Sequence, residues 1–124
     1  IERLIEAFGI MVQSNEIIDH GKNISDTKNY ELLTMNLVIV GKKGWLYDSI
    51  FEKVKQLKLE NKVIFTDYIP DDDLPALIAG AKTYVLPSLW EGFGIPITEA
   101  QACGVPVVVS NVSSLPEVVE IVLF

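Results

Sequence analysis

Residues 83–109 read TYVLPSLWEGFGIPITEAQACGVPVVV. The first four are β-branched, aromatic or aliphatic and stop at Pro87, the composition of a short strand. Residues 87–95 carry Pro87, Ser88, Gly92 and Gly94 and read as a loop. Pro96 suits the first turn of a helix over 96–102, and Gly104 stands just past its end. Residues 105–109 return to an apolar strand. One stretch thus holds strand, loop, helix and strand, the βαβ unit of a parallel sheet.

The same alternation continues on both sides. Upstream, residues 37–41 form an apolar run stopped by Gly41, a second buried strand. Residues 45–59 have helical periodicity through Leu46, Ile50, Val54 and Leu57, and 62–66 form the next strand. Residues 71–81 read as a short helix with Asp71 or Asp72 as N-cap. At the start, Leu4, Ile5, Phe8, Met11 and Val12 give an amphipathic helix over 1–13, followed by a polar surface loop over 14–29. Downstream, a helix over 115–120 starts after Ser113 or Ser114 as N-cap. The strands are apolar throughout, which predicts a parallel sheet covered on both faces and a doubly wound α/β fold.

Composition narrows the function. The chain has 124 residues, 49% of them apolar, with 10 basic against 17 acidic side chains and a net charge of −7. Nine of the ten basic residues are lysine, and Arg3 is the single arginine. An acidic chain without a basic stripe is a poor match for nucleic acid or an anionic membrane. No apolar run approaches the roughly 20 residues of a membrane-spanning helix. Cys103 is the only cysteine, so neither an intramolecular disulfide nor a cysteine-built zinc site is possible, and a lone thiol suits a reducing cytosol.

In doubly wound folds ligands bind beyond the carboxyl ends of the strands. The loop over 87–95 lies there and leads into a helix. Glycines at 92 and 94 let the backbone approach a ligand, and the amides of Phe93, Gly94 and Ile95 would point past the helix start. A helix N-terminus carries about half a positive charge, which suits a phosphate or diphosphate. Glu91 and Glu99 flank this turn, and a carboxylate accepts well from paired sugar hydroxyls. Singly, Glu91 reads as a solvated loop residue and Glu99 as a first-turn glutamate favouring the helix dipole. With the glycines beside them they read as a binding site.

These residues carry a family resemblance. The stretch 37–118 resembles the donor-binding domain of family 4 (group 1) glycosyltransferases, retaining enzymes with two Rossmann-like domains. The carrying segments are Val63-Ile64-Phe65, Tyr68-Ile69-Pro70-Asp71-Asp72-Asp73-Leu74 and Pro87-Ser88, then Glu91-Gly92-Phe93-Gly94-Ile95-Pro96 with Glu99-Ala100. Cys103-Gly104-Val105-Pro106-Val107-Val108 and residues 110–118 follow in order. Glu91 to Glu99 matches the family's E-x7-E motif. The resemblance implies the Rossmann-like C-terminal half of a GT-B fold. It implies transfer of a hexose, mannose or glucose, from a nucleotide sugar such as GDP-mannose or UDP-glucose to an acceptor hydroxyl. Glu91 would contact the sugar hydroxyls and orient the sugar. The amides of Phe93, Gly94 and Ile95 would hold sugar and diphosphate, Glu99 the ribose, and the loop from Thr66 to Tyr68 would lie near the base. No metal or further cofactor is implied. The acceptor, a glycan or lipid-linked glycan, would be bound mainly by another domain, and the site of action would be cytoplasmic.

Some features depart from the family or tempt other readings. The family usually has glycine where Asp67 stands, and its phosphate-binding Arg and Lys lie upstream of the first helix. Lys42 and Lys43 read as a solvated pair. Asp71-Asp72-Asp73 resembles a metal-binding cluster, but helix capping accounts for it. His20 has no evident partner, the sequons at Asn23 and Asn111 would stay unmodified in a cytosolic chain, and Cys103 reads as a small core residue. Trp90 either lines the site beside Glu91 or packs, and Trp45 is equally open. In the strand order 3-2-1-4-5-6 the strands counted here are the second to fifth. The chain is therefore expected to be an interior slice of a larger enzyme, incomplete at both ends and, made alone, poorly stable and inactive. A non-catalytic nucleotide-binding domain of the same fold and a nucleotide-sugar epimerase are the alternatives.

Overall fold

The computed structural model describes residues 1–18, 34–42, 44 and 47–119. The chain divides into two compact units, residues 1–68 and 69–124.

The first unit is a helix followed by a βαβ unit. Helix α1 (Glu2–Ile18) precedes β1 (Leu37–Ile39), α2 (Tyr47–Gln56) and β2 (Val63–Phe65). The strands pair in parallel, with Leu37 opposite Val63 and Ile39 opposite Phe65. Ile5, Phe8 and Val12 repeat at helical spacing and bury against Val54, Leu59 and Val63, with Leu37, Ile39 and Phe65 packed around them. Gly9 belongs to this stripe, because a Cβ there would lie 3.3 Å from Leu59 Cδ1. Helix α2 ends in a Schellman motif: Leu59 N donates to Val54 O at 3.0 Å and Lys58 N to Lys55 O at 3.0 Å, with Lys58 left-handed at φ 55°. Polar bonds join the two helices, Lys53 Nζ to Glu6 Oε1 at 2.8 Å, part-buried, and Ser49 Oγ to Glu2 Oε1 at 2.8 Å, exposed. The Lys53 ammonium holds the Glu6 carboxyl below its ordinary value.

The second unit is built around residues 83–109. It runs α3 (Leu74–Ala79), β3 (Tyr84–Leu86), α4 (Ile95–Ala102), β4 (Val107–Val109) and α5 (Leu115–Val118). The strands pair in parallel, Tyr84 with Val107 and Leu86 with Val109. Ile78, Ala100 and Val105 form a core cluster, with Leu74, Tyr84, Cys103 and Val107 around it. Cys103 thus packs as a small core-edge residue. Helix α4 also closes in a Schellman motif, with Val105 N on Ala100 O at 3.0 Å, Gly104 N on Gln101 O at 2.9 Å and Gly104 at φ 72°.

The doubly wound α/β class is therefore observed, as two βαβ units. The pairs β1·β2 and β3·β4 are those that the order 3-2-1-4-5-6 assigns to its second and third and its fourth and fifth strands. Several local expectations are corrected. Helix α1 does not stop at residue 13 but continues to Ile18, taking in residues assigned to the polar loop; Ser14 Oγ bonds back to Met11 O at 3.0 Å, which lets a polar residue stay helical. Helix α3 starts at Leu74, not at 71, because residues 71–73 turn first and Asp73 N bonds Pro70 O at 3.0 Å. Neither Asp71 nor Asp72 caps it; Asp73 occupies the cap position without a side-chain bond. Among the described residues the apolar strands are covered on one face: successive strand residues face opposite sides, the first unit's core takes Leu37 and Ile39 and the second's takes Tyr84 and Val107, and Val38, Ile64 and Val108 are exposed. The rest of the polar loop with His20 and the Asn23 sequon, together with Lys43, Trp45 and residues 120–124, lies outside the described residues.

Candidate functional site

The loop from Pro87 to Gly94 leaves the carboxyl end of β3 and enters α4. Gly94 is the cap residue of α4, at φ 76° and ψ 40°. A Cβ there would lie 3.1 Å from both Ile97 Cδ1 and Leu115 Cδ2, so glycine is required twice, by its backbone and by its packing. Gly94 O accepts from Ile97 N at 2.9 Å, which winds the first turn of the helix. The amides of Phe93, Gly94 and Ile95 donate to no backbone carbonyl among the described residues. With the partial positive charge at the start of α4, these amides are the free donors of this turn.

Glu91 is held by two hydroxyls, one on its side chain and one on its main chain, and a third holds the next residue. Ser88 Oγ donates to Glu91 Oε1 at 2.6 Å and leaves the second carboxylate oxygen for other partners. Ser113 Oγ donates to Glu91 O at 2.7 Å, and Ser114 Oγ donates to Gly92 O. Ser114 does sit at the cap position of α5, but it makes no capping bond; its hydroxyl holds the site loop instead. Glu99 lies in the second turn of α4 and is exposed.

Tyr84 lies in β3, the strand that leads into this loop. Burial pushes its phenol above the ordinary tyrosine value, and the negative charges of Glu99 and Glu91 push it further in the same direction. Sequence reasoning took Tyr84 as a strand residue and Ser88 as part of a motif; the one available signal was a tyrosine in an otherwise aliphatic strand that runs into the loop. Trp90 and Phe93 do not pack: they are 83% and 67% exposed, beside Leu89 at 84%.

Thr66 and Tyr68 belong to the first unit, beyond the carboxyl end of β2. Thr66 N extends the ladder to Ile39 O at 3.2 Å, and Gly41 N bonds Asp67 O at 3.1 Å. Tyr68 is exposed, with Lys42 Nζ 5.6 Å from its ring centroid, a cation–π arrangement. Asp67 is left-handed at φ 57°. The backbone here favours glycine, the residue the family resemblance leads one to expect, and aspartate is among the few others that tolerate it. Replacement Asp67→Gly is expected to change stability by less than about 1 kcal/mol, whereas Asp67→Val loses about 1–2 kcal/mol. Denaturant midpoints of the two variants check this.

Among the described residues no three His, Cys, Asp or Glu side chains group as metal ligands, and no helix is long and apolar enough to cross a membrane. A family model described as glycosyl transferases group 1 matches residues 1–121. The chain belongs to this family. Among similar proteins, the O-antigen chain mannosyltransferase B of Escherichia coli is 49% identical over 96 residues, 73% of this chain and 25% of that protein. The serotype-specific mannosyltransferase WbdA of Escherichia coli is 51% identical over 59 residues, 48% of this chain and 7% of that protein. The MMP alpha-(1->4)-mannosyltransferase of Mycolicibacterium hassiacum is 41% identical over 66 residues, 53% of this chain and 16% of that protein. This group 1 glycosyltransferase chain thus spans a quarter or less of the length of these relatives.

Proposed function

We propose that this chain is the donor-binding part of a retaining glycosyltransferase that moves mannose from a nucleotide sugar to a glycan hydroxyl. One observation carries the reading: a carboxylate oriented by a serine stands next to a run of unpaired amides at a helix start. The mannosyltransferase names of several relatives favour mannose over glucose. The O-antigen relative favours a polysaccharide or lipid-linked acceptor, and a nucleotide-sugar donor fits a reaction on the cytoplasmic side.

In this reading the diphosphate lies on the amides of Phe93, Gly94 and Ile95. As the sugar C1–oxygen bond breaks, negative charge grows on the departing phosphate oxygen, where fixed amide dipoles stabilise it without reorganising. Glu91, already oriented by Ser88, accepts from sugar hydroxyls and fixes the ring over the leaving group. The acceptor hydroxyl attacks C1 on the face the leaving group vacates and passes its proton to the departing phosphate, so configuration is retained. Glu99 accepts from the ribose hydroxyls.

The ribose assignment is tested by calorimetric titration of GDP and UDP into the full-length protein. Each hydrogen bond to a charged acceptor contributes about 1.5–3 kcal/mol, so Glu99→Ala is expected to weaken binding about tenfold or more. An unchanged affinity would remove Glu99 from the nucleotide site.

A further inference from the structure

Two serines that the sequence places at a helix cap instead hold the loop in front of it. Ser113 donates to the carbonyl of Glu91 and Ser114 to the carbonyl of Gly92. In a trans peptide the C=O of one residue and the N–H of the next point in opposite directions. Tying back the Glu91 carbonyl therefore aims the Gly92 amide away from Ser113, and tying back the Gly92 carbonyl aims the Phe93 amide away from Ser114. The chain has no cis peptide among its described residues, and the Gly92 amide, like that of Phe93, meets no backbone acceptor there. The space around Gly92 is open, since a Cβ built on it would meet nothing within 4 Å.

Ser113 adds a second sign. It is left-handed at φ 54°, a conformation that serine adopts only at a cost. Such strain persists where surrounding interactions over-determine it, and here the bond to Glu91 O is the visible constraint.

We infer that Ser113 and Ser114 are positioning residues that aim the amides of Gly92 and Phe93 at the donor's diphosphate. This rests on the donor-site reading above and extends the cradle by one amide, Gly92. The turn before α5 acts as a brace on the turn before α4. Glu91 is thereby fixed twice, its side chain by Ser88 and its main chain by Ser113.

The test uses two double variants of the full-length protein. Ser113→Gly with Ser114→Ala removes both hydroxyls while relaxing the left-handed residue. Ser113→Asn with Ser114→Thr keeps a donor at each position, and asparagine tolerates the left-handed backbone. Two readouts are taken, kcat/KM for GDP-mannose and the rate of chymotryptic cleavage after Trp90 and Phe93, both exposed in this loop. The first variant is expected to lose about tenfold in kcat/KM and to be cut several-fold faster, with an unfolding midpoint within a few degrees of the parent. The second variant is expected to restore both. Normal turnover and unchanged cleavage in the first variant overturn the brace. Faster cleavage with normal turnover overturns its positioning role. An unsubstituted protein that binds no sugar nucleotide overturns the donor site itself, a result distinct from either.

Discussion

Glu91→Ala in the full-length protein is expected to lower sugar transfer by roughly 100- to 1000-fold, the loss typical of removing one preorganised polar group at a reacting centre. Nucleotide affinity should change little. The reason is a division of labour along one short segment. Glu91 sits before the glycine turn with its carboxylate fixed by Ser88, while Glu99 projects from the second turn of α4. A sugar-orienting group contributes most when the sugar–phosphate bond breaks, so its loss appears in kcat rather than in binding of GDP. Glu91→Gln keeps the shape and an oxygen that can accept from Ser88, but it removes the charge and should fall between parent and alanine. Initial rates with GDP-mannose and GDP titrations of the same preparations separate the two effects. Full turnover in the alanine variant would take Glu91 out of the site.

Gly94→Ala is expected to be the most destabilising of the glycine replacements, by about 2–5 kcal/mol. A left-handed alanine costs about 1–2 kcal/mol. Forcing a methyl group to within 3.1 Å of Ile97 and Leu115, both fully buried, adds the about 1–3 kcal/mol typical of overpacking. Two other glycines separate these terms. Gly104 is left-handed but open, so Gly104→Ala should show the conformational cost alone. Gly92 is open and has no left-handed backbone, so Gly92→Ala should stay within about 0.5 kcal/mol. Denaturant midpoints of the three variants should rank in that order. Equal losses at Gly94 and Gly104 would show that Ile97 and Leu115 yield freely.

Much of the fold was legible because its signals are local. The stretches at 37–41, 62–66, 83–86 and 105–109 announced the strands, each longer than the three-residue strand observed inside it, and Pro96 and Gly104 bracketed α4 closely. Helix α1 runs past residue 13 because Ser14, Asn15 and Glu16 carry loop propensity only as a local preference, and a serine that bonds back to its own turn can remain helical. The start of α3 was misplaced because Asp71, Asp72 and Asp73 all suit a cap, and only the backbone turn from Pro70 selects the last. Asp67 looked like a departure from a glycine position; its φ shows that the backbone kept the glycine conformation and changed only the side chain.

For the site, the primary structure by itself determined the candidate chemistry: two glutamates eight positions apart, a glycine-flanked aromatic between them, and a proline that starts a helix. These are neighbours in the chain, and short-range geometry links them. Only the tertiary structure decided what holds them. Ser113 and Ser114 reach back across 22 residues to Glu91 and Gly92, Leu115 closes over Gly94, and Tyr84 lies in the field of both carboxylates. A hydroxyl has the same local propensity whether it caps its own helix or braces a distant loop. Which bond it makes depends on the carbonyl that folding brings within reach, and that is set by the parallel pairing of β3 with β4, which places the two following turns side by side.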